Sequence, residues 1–283
     1  GVVPELASRS HLHILQKITK EAFEKAQINI KDIDIFAATC GPGLIGGLLV
    51  GSTYAKSLAI GVNKPFMPIN HLEAHLLSTS FNNEVLYPNI SLLLTGGHTQ
   101  IYLLKNYKNI LLLGETVDDA IGEAFDKVAK LLGLPYPGGY ELEQKAKRGN
   151  INSNALPKPM IHSHNSDFSF SGIKTAVNLL CKKNEIDEKF VENMSASFQE
   201  CITSILIKKL EDTIIKLNKD NINILSFSVV GGVANNNYIK LKISQIEKTH
   251  NTNMLLPKKE MMSDNAAMVA WACIKKYDEK LFN

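Results

Sequence analysis

Strands and helices alternate in two blocks along these 283 residues, a pattern that predicts an α/β protein of two related lobes. Three observations carry the prediction. Residues 34–39 read as a short buried strand that runs into Cys40-Gly41-Pro42-Gly43-Leu44-Ile45-Gly46-Gly47 and then an apolar helix. Residues 224–230 repeat that order, ending in Gly231-Gly232-Val233-Ala234-Asn235-Asn236-Asn237 before a further helix. Between them lie three strand-like runs, 90–95, 100–104 and 110–113.

Bulk composition narrows the class. An apolar fraction of 45% and a charged fraction of 21% are those of an ordinary globular protein. The net charge of +3 is too small to argue for nucleic acid by itself. Arg9 and Arg148 are the only arginines, so phosphate contacts would rest on lysines and backbone amides rather than on guanidinium forks. Cys40, Cys181, Cys201 and Cys273 are widely spread with no C-x-x-C spacing. That argues against a zinc knuckle or a disulfide framework and fits a reducing compartment, the cytoplasm or an organellar matrix. No apolar run reaches the roughly 18 residues of a membrane span, and no stretch reads as a signal peptide. The sequence opens Gly1-Val2-Val3-Pro4 rather than on methionine, which raises the expectation that its natural beginning is absent.

Taken in order, Leu12, Leu15, Ile18, Ala22, Phe23 and Ala26 recur at helical spacing and predict an amphipathic helix. The strand, glycine turn and helix over 34–59 form the layout that brings backbone amides to a ligand. The stretch lacks both the lysine of a P-loop and the G-x-G-x-x-G spacing, so a tight turn with close helix packing is the competing reading. Residues 66–69 form a strand leading into Asn70-His71-Leu72-Glu73-Ala74-His75, with Asn70 placed as helix N-cap. Histidines four apart share one helix face, so both imidazoles can meet one ion, although a solvated polar face gives the same spacing.

The turn Thr95-Gly96-Gly97-His98-Thr99 reads first as a hairpin, and second as a set of N–H and O–H donors for a phosphate. A helix follows, carrying Asp118, Asp119, Glu123, Asp126 and Lys127, and stopping at Gly133 and Pro135-Tyr136-Pro137-Gly138-Gly139. Asp119, Glu123 and Asp126 are spaced to share a face. Residues 148–167 read as a long polar loop. Asp167-Phe168-Ser169-Phe170-Ser171-Gly172 opens a helix, a second helical region covers about 190–217, and Ser263-Asp264-Asn265 opens the last element with Ser263 or Asp264 as its cap.

Together these stretches resemble one family, the bacterial and organellar branch of the TsaD/Gcp family of tRNA N6-adenosine threonylcarbamoyltransferases. The motifs run in order from Gly1-Val2-Val3-Pro4-Glu5-Leu6-Ala7-Ser8-Arg9 through Gly41-Pro42-Gly43-Leu44, His71-Leu72-Glu73-Ala74-His75 and Thr95-Gly96-Gly97-His98-Thr99. They continue through Gly122-Glu123-Ala124-Phe125-Asp126-Lys127, Tyr136-Pro137-Gly138-Gly139, Asp167-Phe168-Ser169-Phe170-Ser171-Gly172, Gly231-Gly232-Val233 and Ser263-Asp264-Asn265.

The resemblance implies a two-lobed actin/Hsp70/sugar-kinase-like (ASKHA) fold with a nucleotide cleft. Residues 1–90 with 264–283 would form lobe I and 91–263 lobe II. It implies a divalent metal on His71, His75 and Asp264, iron ahead of zinc, although two imidazoles and a carboxylate suit both. Leu94, Thr95, Gly96, Gly97 and His98 would meet the phosphate and carbamoyl end of threonylcarbamoyl-AMP. Asp126, Gly139 and Asn236 would hold its adenosine. The acceptor would be N6 of adenosine 37 in tRNAs reading ANN codons, with His98 as candidate general base. A TsaB-like paralogue and a TsaE-like ATPase are the expected partners.

Thr95 stands where the family usually has serine, and a hydroxyl is kept. Nothing here matches the family's opening β-hairpin with its Ser/Thr-Cys-Asp motif, so the first lobe is expected to be incomplete and a truncated non-catalytic scaffold is the alternative. A zinc metalloprotease is a weaker rival, because Leu72 follows His71 where H-E-x-x-H requires glutamate. A sugar kinase or chaperone ATPase has no need of the histidine pair.

Overall fold

The computed structural model describes residues 4–278; Gly1, Val2 and Val3 of the opening motif, and 279–283, lie outside the described residues. In chain order the elements begin with α1 (Pro4–Ala26), β1 (Phe36–Gly41), α2 (Ile45–Gly61), β2 (Phe66–Asn70) and α3 (His71–Ser78). There follow β3 (Asn89–Leu94), β4 (Thr99–Leu104), β5 (Ile110–Glu115), α4 (Ile121–Leu131), α5 (Gly138–Ala146), α6 (Ser171–Lys183) and α7 (Glu188–Lys219). The chain continues with β6 (Ser226–Val230), α8 (Asn237–Ile243), α9 (Gln245–His250), β7 (Asn253–Leu255), α10 (Lys259–Met262) and α11 (Ala266–Asp278).

These elements form two compact units, 1–78 with 265–283, and 79–264. Residues 79–90 and Asp264 fall in the second unit, whereas the sequence reading assigns them to lobe I. Asn83 Nδ2 donates to the Leu256 carbonyl at 2.9 Å, and Ser226 Oγ to the Leu86 carbonyl at 2.9 Å.

In the first unit β1 and β2 pair in parallel, Phe36 opposite Phe66 and Thr39 opposite Ile69. Parallel neighbours need a crossover, and α2 supplies it. The long α1 packs on α2, and α11 packs on α3 and on both strands. Ion pairing between Glu73 of α3 and Lys276 of α11 adds a polar tie between those helices. Leu6, Leu12, Ile45, Leu49 and Ile60 on α1 and α2 remain exposed.

The second unit is built on a five-stranded sheet in the order β5-β4-β3-β6-β7. β3, β4 and β5 form an antiparallel meander, whereas β6 runs parallel to β3 and β7 parallel to β6. Every residue of β3 and β6 is buried, as expected of central strands covered on both faces. Ile90, Leu92, Leu94, Phe227 and Val229 share one core with Met194, Phe198, Ile202, Ile205 and Leu206 of α7. Phe125 meets Phe198 edge-to-face, with 5.1 Å between ring centroids. Asp187 caps α7, accepting from the Phe190 N–H at 2.7 Å.

Lys209 lies fully buried on α7. Its Nζ donates to Ser163 Oγ at 2.6 Å and to the Asn165 carbonyl at 2.8 Å, which pins the long polar loop to the helix. Burial pulls its pKa below the ordinary lysine value. All four cysteines are free thiols, and burial pushes Cys201 up to about 11. Among the described residues, no helix is long and apolar enough to cross a membrane.

Three expectations need correction. Asp118 and Asp119 precede α4 rather than belonging to it. The stretch read as a glycine–proline stop opens α5 at Gly138, one residue past Pro137. The cap of α11 is neither Ser263 nor Asp264: Asn265 Oδ1 accepts the Met268 N–H at 2.8 Å.

Candidate metal group and nucleotide cavity

β2 passes into α3 with no loop between them, so His71 is the first helical residue. As expected, Asn70 caps the helix, its Oδ1 accepting the N–H of Leu72 at 2.8 Å and of Glu73 at 3.2 Å. The cap fixes the first turn, and the helical period then stacks His75 over His71, with ring centroids 4.8 Å apart and edge-to-face. Asp264 directly precedes Asn265, the cap of α11. One ligand atom from each of His71, His75 and Asp264 lies within 4.8 Å of the others. His75 is fully buried, His71 half-buried and Asp264 exposed. Two imidazoles and one carboxylate at this spacing fit a divalent transition metal with coordination positions left for other ligands.

The second unit holds a cavity of about 560 Å³. Of the residues expected at the substrate, Gly96, Asp126, Gly139 and Asn236 line it, and they come from four separate segments. Leu94, Thr95, Gly97 and His98 are not among its lining residues. Leu94 is fully buried in β3. Thr95 turns its hydroxyl inward, accepting the His98 N–H at 2.9 Å, while its own N–H donates to the His98 carbonyl at 2.9 Å. Thr99 accepts the Ile121 N–H at 2.8 Å and so serves the start of α4. The two hydroxyls therefore shape the turn, and the N–H groups of Gly96 and Gly97 stay outside its internal bonds.

Glycine is required where α4 meets this turn. A Cβ on Gly122 would stand 2.8 Å from Gly96 Cα and 2.9 Å from the Thr95 carbonyl oxygen. The acidic face divides by partner. Lys127 Nζ lies 2.7 Å from both Asp119 and Glu123, and these bonds, Asp119 first, hold its pKa above the ordinary lysine value. Asp126 instead accepts the Gly138 N–H at 2.8 Å, which anchors the start of α5. Asn236 caps α8 by accepting the Ile239 N–H at 3.0 Å, and its Nδ2 donates to Gln199 Oε1 at 2.8 Å.

Glu143, Tyr140, Lys240 and Lys259 also line the cavity and were missed from sequence. Glu143 is nearly buried, and its Oε1 accepts the Asn237 N–H at 3.0 Å, joining α5 to the start of α8. The available signal was a glutamate one turn beyond Gly139, legible only once α5 is recognised as a helix.

Asp118 organises the Phe168-to-Gly172 segment. It accepts from Ser169 Oγ at 2.6 Å, the Phe170 N–H at 2.8 Å and Ser171 Oγ at 2.7 Å. Burial would raise its pKa, but these bonds outweigh burial and hold it below the ordinary value of 3.8. A depressed carboxylate stabilises the fold above the unfolded pKa and loses that contribution as pH falls through the folded one. Asp118→Asn is thus expected to cost about 1 kcal/mol at neutral pH and to flatten the loss of stability below about pH 4. Urea titrations at pH 7 and pH 3 measure both effects.

The sequence model of the TsaD family, tRNA N6-adenosine threonylcarbamoyltransferase, matches residues 1–271. A protein of that description from Wolbachia sp. subsp. Drosophila simulans (strain wRi) is 46% identical over 98% of this chain and 82% of its own length. Another, from Rickettsia canadensis (strain McKiel), is 44% identical over the whole chain and 83% of its length. Among solved structures, full-length HypF in its phosphate- and nucleotide-bound form superimposes with a TM-score of 0.64 at 13% identity, covering 93% of this chain and 41% of that one. That likeness concerns the fold, which is of the actin/Hsp70/sugar-kinase type. By its family match and by relatives of this similarity and coverage, the chain belongs to the TsaD family of tRNA N6-adenosine threonylcarbamoyltransferases.

Proposed function

We propose that this chain transfers the threonylcarbamoyl group of threonylcarbamoyl-AMP to N6 of adenosine 37 in tRNAs reading ANN codons. The observation that carries the reading is the convergence of Gly96, Asp126, Gly139 and Asn236 on one cavity. In the transfer, the N6 lone pair bonds to the carbamoyl carbon and the bond from that carbon to the phosphate oxygen breaks. AMP leaves with the electron pair, and N6 gives up one proton, for which His98 is the proposed acceptor.

The adenosine half of the donor lies in the cavity. Asp126 and the nearly buried Glu143 are placed to accept from ribose hydroxyls, and Gly139 leaves room for the nucleoside. The N–H groups of Gly96 and Gly97 meet the phosphate and the charge that develops on the carbamoyl oxygen. Leu94 contributes through its backbone only, and Thr95 by holding the turn in shape. His71, His75 and Asp264 hold one divalent metal, iron ahead of zinc. When bound, such an ion supplies a Lewis acid.

Partners of the TsaB and TsaE kinds complete the reading. The exposed Leu6, Leu12, Ile45, Leu49 and Ile60 support a protein partner on α1 and α2. Free cysteines suit a reducing compartment, the cytoplasm or an organellar matrix.

Filling the cavity tests this assignment. A Cβ on Gly139 meets no protein atom within 4 Å, so Gly139→Val is expected to leave the urea midpoint almost unchanged. Its branches enter space reserved for the nucleoside, so donor binding and transfer are expected to fall at least tenfold. Undiminished transfer would remove this cavity from the reaction.

A further inference from the structure

Consecutive residues at the start of α8 are tied to different neighbours. Asn236 Nδ2 donates to Gln199 Oε1 of α7 at 2.8 Å, and the Asn237 N–H donates to Glu143 Oε1 of α5 at 3.0 Å. The Tyr238 phenol donates to Glu200, the residue after Gln199 on α7. Asn236, Asn237 and Glu143 line the cavity, whereas Gln199, Glu200 and Tyr238 do not. Gln199 is only 4% exposed. An amide buried this deeply costs free energy unless its polar atoms are matched, and a hydrocarbon side chain would fill the same space without that cost. The amide of Asn236 carries an oxygen and an NH2 group of nearly the same shape, so turning it exchanges acceptor for donor. Two bonds set its orientation. Oδ1 accepts the Ile239 N–H at 3.0 Å, and Gln199 takes one of the two Nδ2 hydrogens.

We infer that Gln199 is a positioning residue: from outside the cavity it holds the Asn236 amide in the one orientation that meets the nucleoside. The inference rests on the reading that Asn236 serves the adenosine half of the donor. Gln199 leaves the second Nδ2 hydrogen of Asn236 for a ligand and fixes the angle at which it is offered. Without the glutamine oxygen, the first hydrogen is unmatched in a nearly buried place, and the amide turns to satisfy it. The turned amide no longer presents its hydrogen where the nucleoside lies.

Titration calorimetry of AMP with the full chain tests it, with thermal midpoints recorded so that lost fold is not taken for lost binding. Gln199→Met keeps the length of the side chain and removes the acceptor, and is expected to weaken AMP about fivefold. Gln199→Asn withdraws the oxygen by one methylene and is the second variant, with the same loss expected. Gln199→Glu restores an oxygen at the original reach and is expected to recover most of the affinity. Tyr238→Phe cuts another bond between the same two helices without touching the cavity lining, and Glu200 keeps Lys242 at 3.9 Å. It is expected to bind AMP as the parent does. If the parent binds AMP and both Gln199→Met and Gln199→Asn bind it equally well, the positioning role is wrong while the nucleotide reading stands. An equal loss in Tyr238→Phe also overturns the role, because the effect is then one of helix packing. If the parent binds no AMP, the nucleotide reading fails and the inference fails with it.

Discussion

Replacing Gly231 with alanine is expected to destabilise the second unit by about 3–5 kcal/mol, a large share of what holds a domain of this size together. Two costs add at this position. Its φ of +96° lies where side-chain-bearing residues are strained. A Cβ there would also stand 2.4 Å from the Leu94 carbonyl oxygen and 2.9 Å from Thr95 Cγ2. Leu94 belongs to a fully buried central strand and has nowhere to move. Gly232 is the internal control, since a Cβ there meets nothing within 4 Å, and Gly232→Ala is expected to shift stability by less than about 1 kcal/mol. Urea midpoints of the two variants decide it: equal midpoints would show that the close approach of this turn to β3 is not needed.

His75→Ala is expected to lower divalent-metal affinity at least about a hundredfold, beyond the ten- to hundredfold that outer partners of a metal site are worth. Removing one of the three proposed ligands leaves one imidazole and one carboxylate, too few to hold an ion against water. Zinc serves as the probe in titration calorimetry, with circular dichroism to check that the variant is folded. Because His75 is fully buried, the half-buried His71 provides the second variant, His71→Ala, with less risk to the core. Unchanged zinc affinity in both would dismiss the ligand assignment.

Much of the fold was legible because its elements announce themselves locally. Continuous apolar runs gave away β3 and β6, helical periodicity gave away α1 and α7, and Asn70 before a histidine helix is a cap readable from one residue. The grouping of His71, His75 and Asp264 was expected only through the family resemblance, which joined a helical spacing to a motif almost two hundred residues away. Spacing alone left His71 and His75 open between an ion-binding pair and a solvated face. α5 was hidden because Gly138 and Gly139 have poor helix propensity and follow a proline, so they resemble an ending. Glu143 and Tyr140 were lost with that helix.

Tertiary contacts decided other positions. The roles of Asp118 and Asp126 depend on Ser169, Ser171 and Gly138, which sequence spacing does not place beside them. Asn236 was singled out as a candidate site position and lines the cavity, but its double use as cap and as donor to Gln199 was not readable. The hydroxyls of Thr95 and Thr99 resembled phosphate donors because nothing local shows that one closes the turn and the other seats α4.

Formation of N6-threonylcarbamoyl-adenosine tests the central claim most directly. The full chain is incubated with partners of the TsaB and TsaE kinds, threonylcarbamoyl-AMP and unmodified tRNA, and the digested nucleosides are quantified by mass spectrometry. The parent is expected to yield the modified nucleoside, with His71→Ala and Asp264→Ala losing both bound metal and product. No modified nucleoside from the parent, or full product from both variants, would contradict the account.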